Sequence, residues 1–483
     1  MAWEPAAESE PGARLERLSP ARRALAERLL AERGRARDTG PVRRGPPDPP
    51  APPSFQQARI WPRERHGHRA TSLVPSALRL GADVDLDAME AAWRRLGERH
   101  RGLRTVFAPD GEQRAGGPEL AFERLDLDGV PPDERAAEVE RQSRALAEEP
   151  MDLAAGPLAR ARLVRLAPDD HALLIAVHHL VTDAWSQLVC FRELRALYRG
   201  GGLPDPPLQY ADYAAWQRQA AAEGRFDARL EHWVRALADV DPDPALPLPA
   251  GGGPFRLGLL DLEVPAPVAE ALREIARRAG ASSFMVLLAA FAAVLGAAGG
   301  RDEVVVGTPA AGRTRGDLEQ VVGFFANPLP LRVRLDRAAP FAGLLAHARG
   351  VAADAFARQD VPVDLLLSRL DPPPPPPGRT PLFQAVLVLQ NVGERMARRA
   401  GAGHEDRRPD EPALYPFLPF YSPAGAAFDV GVQLIERGGA LAGNLEYDAG
   451  RVPGDLAEAL RERLLRVLAG VAGRPDAPLG GVL

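Results

Sequence analysis

Lysine is missing from the 483-residue sequence, so every one of its 60 Lys and Arg positions is an arginine. Alanine, glycine and proline are used heavily, and the pattern reads as GC-rich codon usage rather than a functional demand. Cysteine is nearly missing as well. Cys190 stands alone, which excludes an intramolecular disulfide and a Cys-based zinc site and suggests a reducing, cytoplasmic setting. No long basic stripe accompanies the net charge of -5, which argues against a nucleic-acid partner, whose binding rests on many phosphate neutralisations. The most apolar run, Phe284 to Ala298, is too short and Ala-rich for a membrane span. The N-terminal MAWEPAAESEPGARLER carries acidic residues and lacks an apolar h-region, so no signal peptide is expected. What remains is ample for a core: 46% of residues are hydrophobic and 26% charged, enough for one large core or two moderate ones.

Breaker-rich stretches divide the chain. Residues 1–34 include a short helical pattern, Leu18 to Arg33, with Ser19 as a cap and Pro20 in the first turn. Residues 35–53 are proline-rich and read as a linker. An ordered body is expected over 54–240, a second linker over 241–254, and a second body over 255–483. In the first body, Ala172 to Val177 is a wholly apolar run suited to a buried strand. Asp183 to Tyr198 then shows helical spacing. In the second, Pro265 to Ala279 is amphipathic, Phe284 to Leu295 is apolar nearly all round, and Val304 to Gly307 is strand-like. The run Pro372 to Pro377 is expected to be a solvated polyproline loop. Phe428 to Ile435 and Ala440 to Tyr447 alternate across Gly438-Gly439, a hairpin signal. Asp455 to Leu468 reads as a terminal helix. The fold class is α/β in two lobes.

Chemistry concentrates in VHHLVTDAWSQ, Val177 to Gln187. A buried strand ends in two histidines, a turn follows, and an aspartate opens a helix, so a side chain can be aimed from a rigid element. By itself, an adjacent histidine pair is more often structural than functional. A metal site is disfavoured, because neighbouring strand residues point to opposite faces. No HExxH pattern exists, and His66, His68, His100, His171, His232, His347 and His404 are scattered. Asp183 sits where a helix N-cap is favoured without any catalytic duty, so cap or salt-bridge support outweighs direct proton transfer.

The segment His178 to Ser186 resembles the HHxxxDGWS core of nonribosomal peptide synthetase condensation domains. Other stretches resemble that family's motifs in the same order. SFQQARIW, with Ser54, Gln57, Arg59 and Trp61, is similar to SxAQxRLW, and RHRGLRTVF (99–107) to RHExLRTxF. YADYAAW (210–216) is similar to YxDYAxW, and VGFFANPLPLR (322–332) to GxFVNTxxLR. RQDVPVD (358–364) is similar to HQDVPFE, and GRTPLFQAVLVLQN (378–391) to RDxSRNPLFQVxF. Cyclisation domains carry aspartate where His178 stands, and epimerisation domains usually read VSWRIL after the aspartate. Departures are Ala184 for glycine, Arg101-Gly102 for Glu-x, Pro328 for threonine and Arg358 for histidine.

The resemblance implies two chloramphenicol acetyltransferase-like lobes in a V, with mixed sheets flanked by helices and an active-site tunnel between them. It implies an acyltransferase that joins a carrier-bound acyl, aminoacyl or peptidyl thioester to an acceptor amine, with no bound cofactor and no metal. Its partners would be donor and acceptor carrier proteins, or neighbouring synthetase modules, presenting substrates on 4′-phosphopantetheine arms. His179 is expected to face the reacting atoms and His178 to pack behind. Asp183 is expected to pair with Arg104, while Ala184, Trp185, Ser186 and Asn327 lie near the tunnel. No adenylation or carrier motif is visible, so the substrates are expected to arrive on other proteins, or the chain to be one excised or free-standing module. Two alternatives stay open: an HHxxxD acyltransferase using a free amine or alcohol, and a non-catalytic module that recruits carriers.

Overall fold

The computed structural model describes residues 40–46, 50–64, 73–80, 84–241, 246, 248, 253, 255–373, 379–390, 413–414, 428–474, 477–478 and 480. The helix expected over Leu18 to Arg33 and most of the proline run before Arg379 lie outside them. In the first half, the strands are β1 (Pro50–Ala51), β2 (Leu73–Leu80), β3 (Val106–Phe107), β4 (Gln113–Arg114), β5 (Ala121–Asp126), β6 (Ala159–Ala167) and β7 (Asp170–His178). Its helices are α1 (Phe55–Glu64), α2 (Leu86–Arg99), α3 (Arg135–Glu148), α4 (Ala184–Tyr198), α5 (Tyr210–Ala222) and α6 (Asp227–Leu237). The second half has strands β8 (Leu257–Val264), β9 (Glu303–Ala310), β10 (Asn327–Arg334), β11 (Ala385–Gln390), β12 (Ala413–Leu414), β13 (Val430–Arg437) and β14 (Ala440–Asp448). Helices α7 (Ala266–Arg278), α8 (Ser283–Gly299), α9 (Phe341–Phe356), α10 (Val363–Leu370) and α11 (Gly454–Gly473) complete it.

A five-stranded mixed sheet, ordered β12-β2-β7-β6-β5, centres the first half. Strand β7 is buried along its whole length, because helices cover both faces. One cluster joins α3 residues Val139 and Leu146 to Leu174 and Ala176 of β7; the other joins Trp93 and Leu96 of α2 and Val189 and Leu194 of α4 to Leu173 and Ile175. This double burial explains why the run lacks polar alternation. The sheet borrows its β12 edge from late in the chain, where Ala413 and Leu414 pair antiparallel with Arg79 and Leu78.

The second half is built on a six-stranded mixed sheet, β10-β9-β11-β13-β14-β8. Helix α8 is apolar nearly all round, and the residues from Val286 to Gly296 are buried. The β13–β14 hairpin turns through Gly438 and Gly439, both at positive φ, which a two-residue primed turn requires. Pro328 and Pro330 lie on β10, an edge strand, where a missing ladder donor is tolerated. The second core also takes in Ala220 of α5, Phe226 just before α6, and Leu230, Trp233 and Leu237 of α6, all ahead of residue 241.

The proline-rich 35–53 stretch, expected to be a linker, is anchored to the body at two points. In its described part, Val42 is buried beside Leu208, Tyr210 and Phe325, and β1 pairs with β4. Only Val42 and Ala51 are buried in that part, while Pro41, residues 43–46, Pro50 and Pro52 stay exposed. The two halves meet closely at Gly323. A Cβ there would lie 1.9 Å from the Tyr210 ring, so only glycine admits the aromatic. Gly323→Ala should therefore overpack the joint and cost about 1–3 kcal/mol, read as a lowered midpoint in urea unfolding. A variant as stable as wild type would contradict so close an approach.

Candidate active site

Strand β7 ends on His178, a single 3-10 turn follows over His179–Val181, and Asp183 caps α4. The rigid strand on one side and the capped helix on the other fix the turn between them. Asp183 Oδ1 accepts from the Ser186 N–H at 2.8 Å, which satisfies an orphan donor of the first helical turn. Its Oδ2 reaches into the other half of the molecule. There it accepts from Arg313 Nη1 at 2.8 Å and from the Phe325 N–H at 2.9 Å.

This corrects the expected Asp183–Arg104 pair. Arg104 instead donates to the carbonyls of Gly117 and Pro118. Arg313 is the partner, 130 residues away in sequence, and both side chains are almost fully buried. Arg313 also donates to Ser186 Oγ at 2.7 Å and to the Val321 carbonyl at 3.1 Å, and its guanidinium lies 4.1 Å from the Phe325 ring centroid. Burial alone would raise the Asp183 carboxyl; Arg313 and the Ser186 and Phe325 N–H groups outweigh it and hold the pKa below the ordinary value. Asp183 is therefore a carboxylate with its oxygens engaged, not a proton donor.

The two histidines make different contacts. The buried His178 accepts from the Leu180 N–H at its Nδ1, 3.1 Å away, so the proton of its neutral form sits on Nε2, 3.5 Å from Glu64 Oε2. It also borders a cavity of about 520 Å³ shared with Trp61, Glu64, Phe107, Met151 and Leu153. His179 is half-buried. Its Nδ1 lies 2.6 Å from the Thr182 carbonyl. A carbonyl can only accept, so Nδ1 carries the hydrogen and Nε2 presents a lone pair. Loss of hydration pushes the imidazole pKa down to about 4, against the opposing effects of the Thr182 bond and Asp183. Neutral pH thus leaves the ring uncharged. The Phe324 ring lies against it, with centroids 4.3 Å apart.

The residues expected near a tunnel divide. Ser186 Oγ donates to the Gly323 carbonyl and accepts from the Gly323 N–H and Arg313, so its hydroxyl is fully used inside the protein. The Asn327 amide donates to the Gln359 and Val361 carbonyls and accepts from Val363; it orders the entry to α10 rather than offering groups to a substrate. Trp185 is half-buried and gives its Nε1–H to the Glu319 carbonyl. Ala184 is half-buried at the first position of α4. Gln57 ties the first motif to the turn by donating to the Leu180 carbonyl. Sequence reasoning missed Arg313 and Phe324. Arg313 sits in a loop with no periodic signal, and Phe324 occupies a position that the GxFVNT pattern leaves open. Burial drives the Cys190 thiol upward, so it supplies no thiolate at neutral pH. Among the described residues, no group of three or more His, Cys, Asp or Glu side chains is placed to hold a metal ion, and no single helix is long and apolar enough to cross a membrane.

Segments that are far apart in sequence thus converge on one turn, and the family model described as the condensation domain matches residues 50–482. The chain belongs to the condensation-domain family. This condensation domain is 34% identical over 482 residues to phosphinothricin tripeptide synthetase PhsC of Streptomyces viridochromogenes, covering 96% of the chain and 43% of that protein. It is 36% identical over 363 residues to malpibaldin synthetase of Mortierella alpina, covering 71% of the chain and 6% of that protein. The domain therefore spans less than half the length of either relative. Among solved structures it is similar to the X-domain from teicoplanin biosynthesis, with a TM-score of 0.77 and 25% identity over 91% of this chain and 98% of that one.

If the buried pair organises the condensation domain, Arg313→Ala and Asp183→Asn should each cost about 3–5 kcal/mol by stranding the opposite charge. Arg104→Ala, which loses bonds to carbonyls at a half-buried side chain and strands no charge, should cost less than either. Urea unfolding of the three variants compares them directly. Equal losses at Arg313 and Arg104 would contradict this order.

Proposed function

We propose that this condensation domain forms amide bonds between carrier-bound substrates in nonribosomal peptide biosynthesis. An acyl or aminoacyl thioester on the 4′-phosphopantetheine arm of one carrier is attacked by the amine presented on another. A C–N bond forms, the thioester C–S bond breaks, and its electron pair leaves with the pantetheine thiolate. The observation that carries the reading is the His179 imidazole, fixed as the Nδ1–H tautomer with a bare Nε2 in a chain of this family. Nε2 accepts a hydrogen bond from the attacking nitrogen, takes its proton once the C–N bond has made that nitrogen acidic, and passes it to the thiolate. A base whose pKa is near 4 is weak in the ground state, so orientation carries more of the work than proton abstraction. Proximity supplies up to roughly 7–11 kcal/mol, and acid–base help typically about 10²–10⁴-fold. The halves would form the V-shaped lobes, with the reacting groups meeting in a tunnel at their junction, and the setting would be cytoplasmic.

A second reading, recruitment of a partner without turnover, draws on the likeness to the teicoplanin X-domain, which has also been solved in complex with OxyB. The intact His179 geometry favours the first reading. Loaded donor and acceptor carriers, incubated with and without the protein, decide between them: intact-protein mass spectrometry should show the donor's acyl mass on the acceptor. Binding of carriers without that transfer would support recruitment instead.

His179→Ala should lower the condensation rate by about 10²–10⁴-fold in a folded protein. His178→Ala should act mainly on stability, by removing the acceptor of the Leu180 N–H. Equal kinetic losses in two folded variants would overturn the distinction. The pH profile offers a separate check. His179 stays neutral down to about pH 4, so acid loss of kcat/KM should follow protonation of the acceptor amine, near pH 8 for an α-amino group. A limb near pH 6.5 that vanishes in His179→Ala would show an ordinary, hydrated imidazole.

A further inference from the structure

The His179 ring is held by two groups of different origin. Thr182, on its own turn, takes the Nδ1 hydrogen. Phe324 comes from the other half, and its own placement is over-determined. Gly323 is bonded through both N–H and C=O to Ser186 Oγ. The Phe324 carbonyl accepts from the buried Tyr210 hydroxyl, which also meets Ser54 Oγ at 2.8 Å. The Phe325 N–H is bonded to Asp183. Three successive residues are thus pinned at the backbone, and the Phe324 side chain is left to pack. It is 3% exposed and lies against the imidazole at 4.3 Å, with 44° between the ring planes.

A hydrogen bond through Nδ1 fixes the tautomer but leaves rotation about that bond open; an aromatic ring against the imidazole removes that freedom. We propose that Phe324 is a positioning residue for the condensation reaction, fixing the plane of the His179 imidazole from the opposite half while Thr182 fixes its tautomer. This rests on the reading of His179 as the group that meets the attacking nitrogen. It goes further in assigning a role to a residue that the family pattern leaves unspecified. The same wall keeps water off one side of the half-buried ring, in line with the loss of hydration that lowers its pKa. Charged or titratable groups acting on the ring include Asp183, His178 and Arg59 of α1, and changing Phe324 removes none of these side chains.

The test uses the whole chain labelled with 15N-histidine, with the His179 ring signals assigned by their loss in His179→Ala. In Phe324→Leu, which keeps apolar bulk but not the flat ring, the imidazole should titrate closer to about 6.5. The single-turnover rate should fall about 10- to 100-fold, with KM for the acceptor carrier unchanged. Tyr210→Phe, which frees the Phe324 carbonyl but keeps every ring, should shift both readouts the same way by less, and it serves if Phe324→Leu does not fold. A folded variant with wild-type titration and rate overturns the proposal, as does a moved titration with an unchanged rate. If His179→Ala itself retains the rate, the assignment of His179 to the reaction fails, while the titration still reports whether Phe324 holds the ring.

Discussion

The Asp183 carboxylate, bonded at once to the amide of its own helix and to a guanidinium and an amide of the other half, is the contact on which the site depends. Desolvating two such charges costs several kcal/mol per ion, and their attraction offsets this only when further hydrogen bonds complete both shells. Here Ser186 and Phe325 complete the aspartate, and Ser186, Val321 and Ala311 engage both terminal nitrogens of Arg313, leaving only its buried Nε without a hydrogen-bond partner among the described residues. The pair is thus a poor source of net stability but a strong arbiter of geometry: no rearrangement of the halves preserves it unless residues 321–325 stay against the start of α4. That loop carries the aromatic facing His179, so the requirement that keeps a buried charge paired also shapes the surroundings of the imidazole.

Much of the scaffold was legible in the sequence because its signals are local. The apolar run before His178, the cap at Asp183, the apolar helix after Ser282 and the Gly438-Gly439 turn each announce themselves within a dozen residues or so. Motif resemblance then named the turn that matters and the roles expected of its histidines. What stayed hidden is long-range. Nothing in the spacing ties Arg313 to Asp183, and a resemblance that pointed to Arg104 could not say which arginine the folded chain brings within 2.8 Å. Ser186 and Asn327 were readable as polar motif residues, but that their hydrogen-bonding capacity is spent inside the protein emerges only from their partners.

The departures from the family pattern sort by what surrounds them. Gly102 stands where a Cβ would meet the Val322 carbonyl oxygen at 2.8 Å, so a side chain there would press on the same loop that delivers Phe324. Pro328 falls on an outer strand opposite Pro309, where a missing N–H is tolerated. Ala184 adds one methyl at the first position of a capped helix, within reach of solvent. The fold absorbs each of these, and of the three only Ala184 lies directly beside the histidine turn.

The short pairing of Ala413–Leu414 with β2 carries a consequence for dissecting the chain. Without it, Leu78 and Arg79 of β2 would lose their partners on that side, lengthening a sheet border whose unpaired N–H and C=O groups invite association with other chains. A fragment ending between the halves would expose that border along with the apolar residues facing Val321 and Phe325. Such fragments should be rescued by co-expression with the missing piece rather than by solubilising tags, because what they lack is a strand and not a charge.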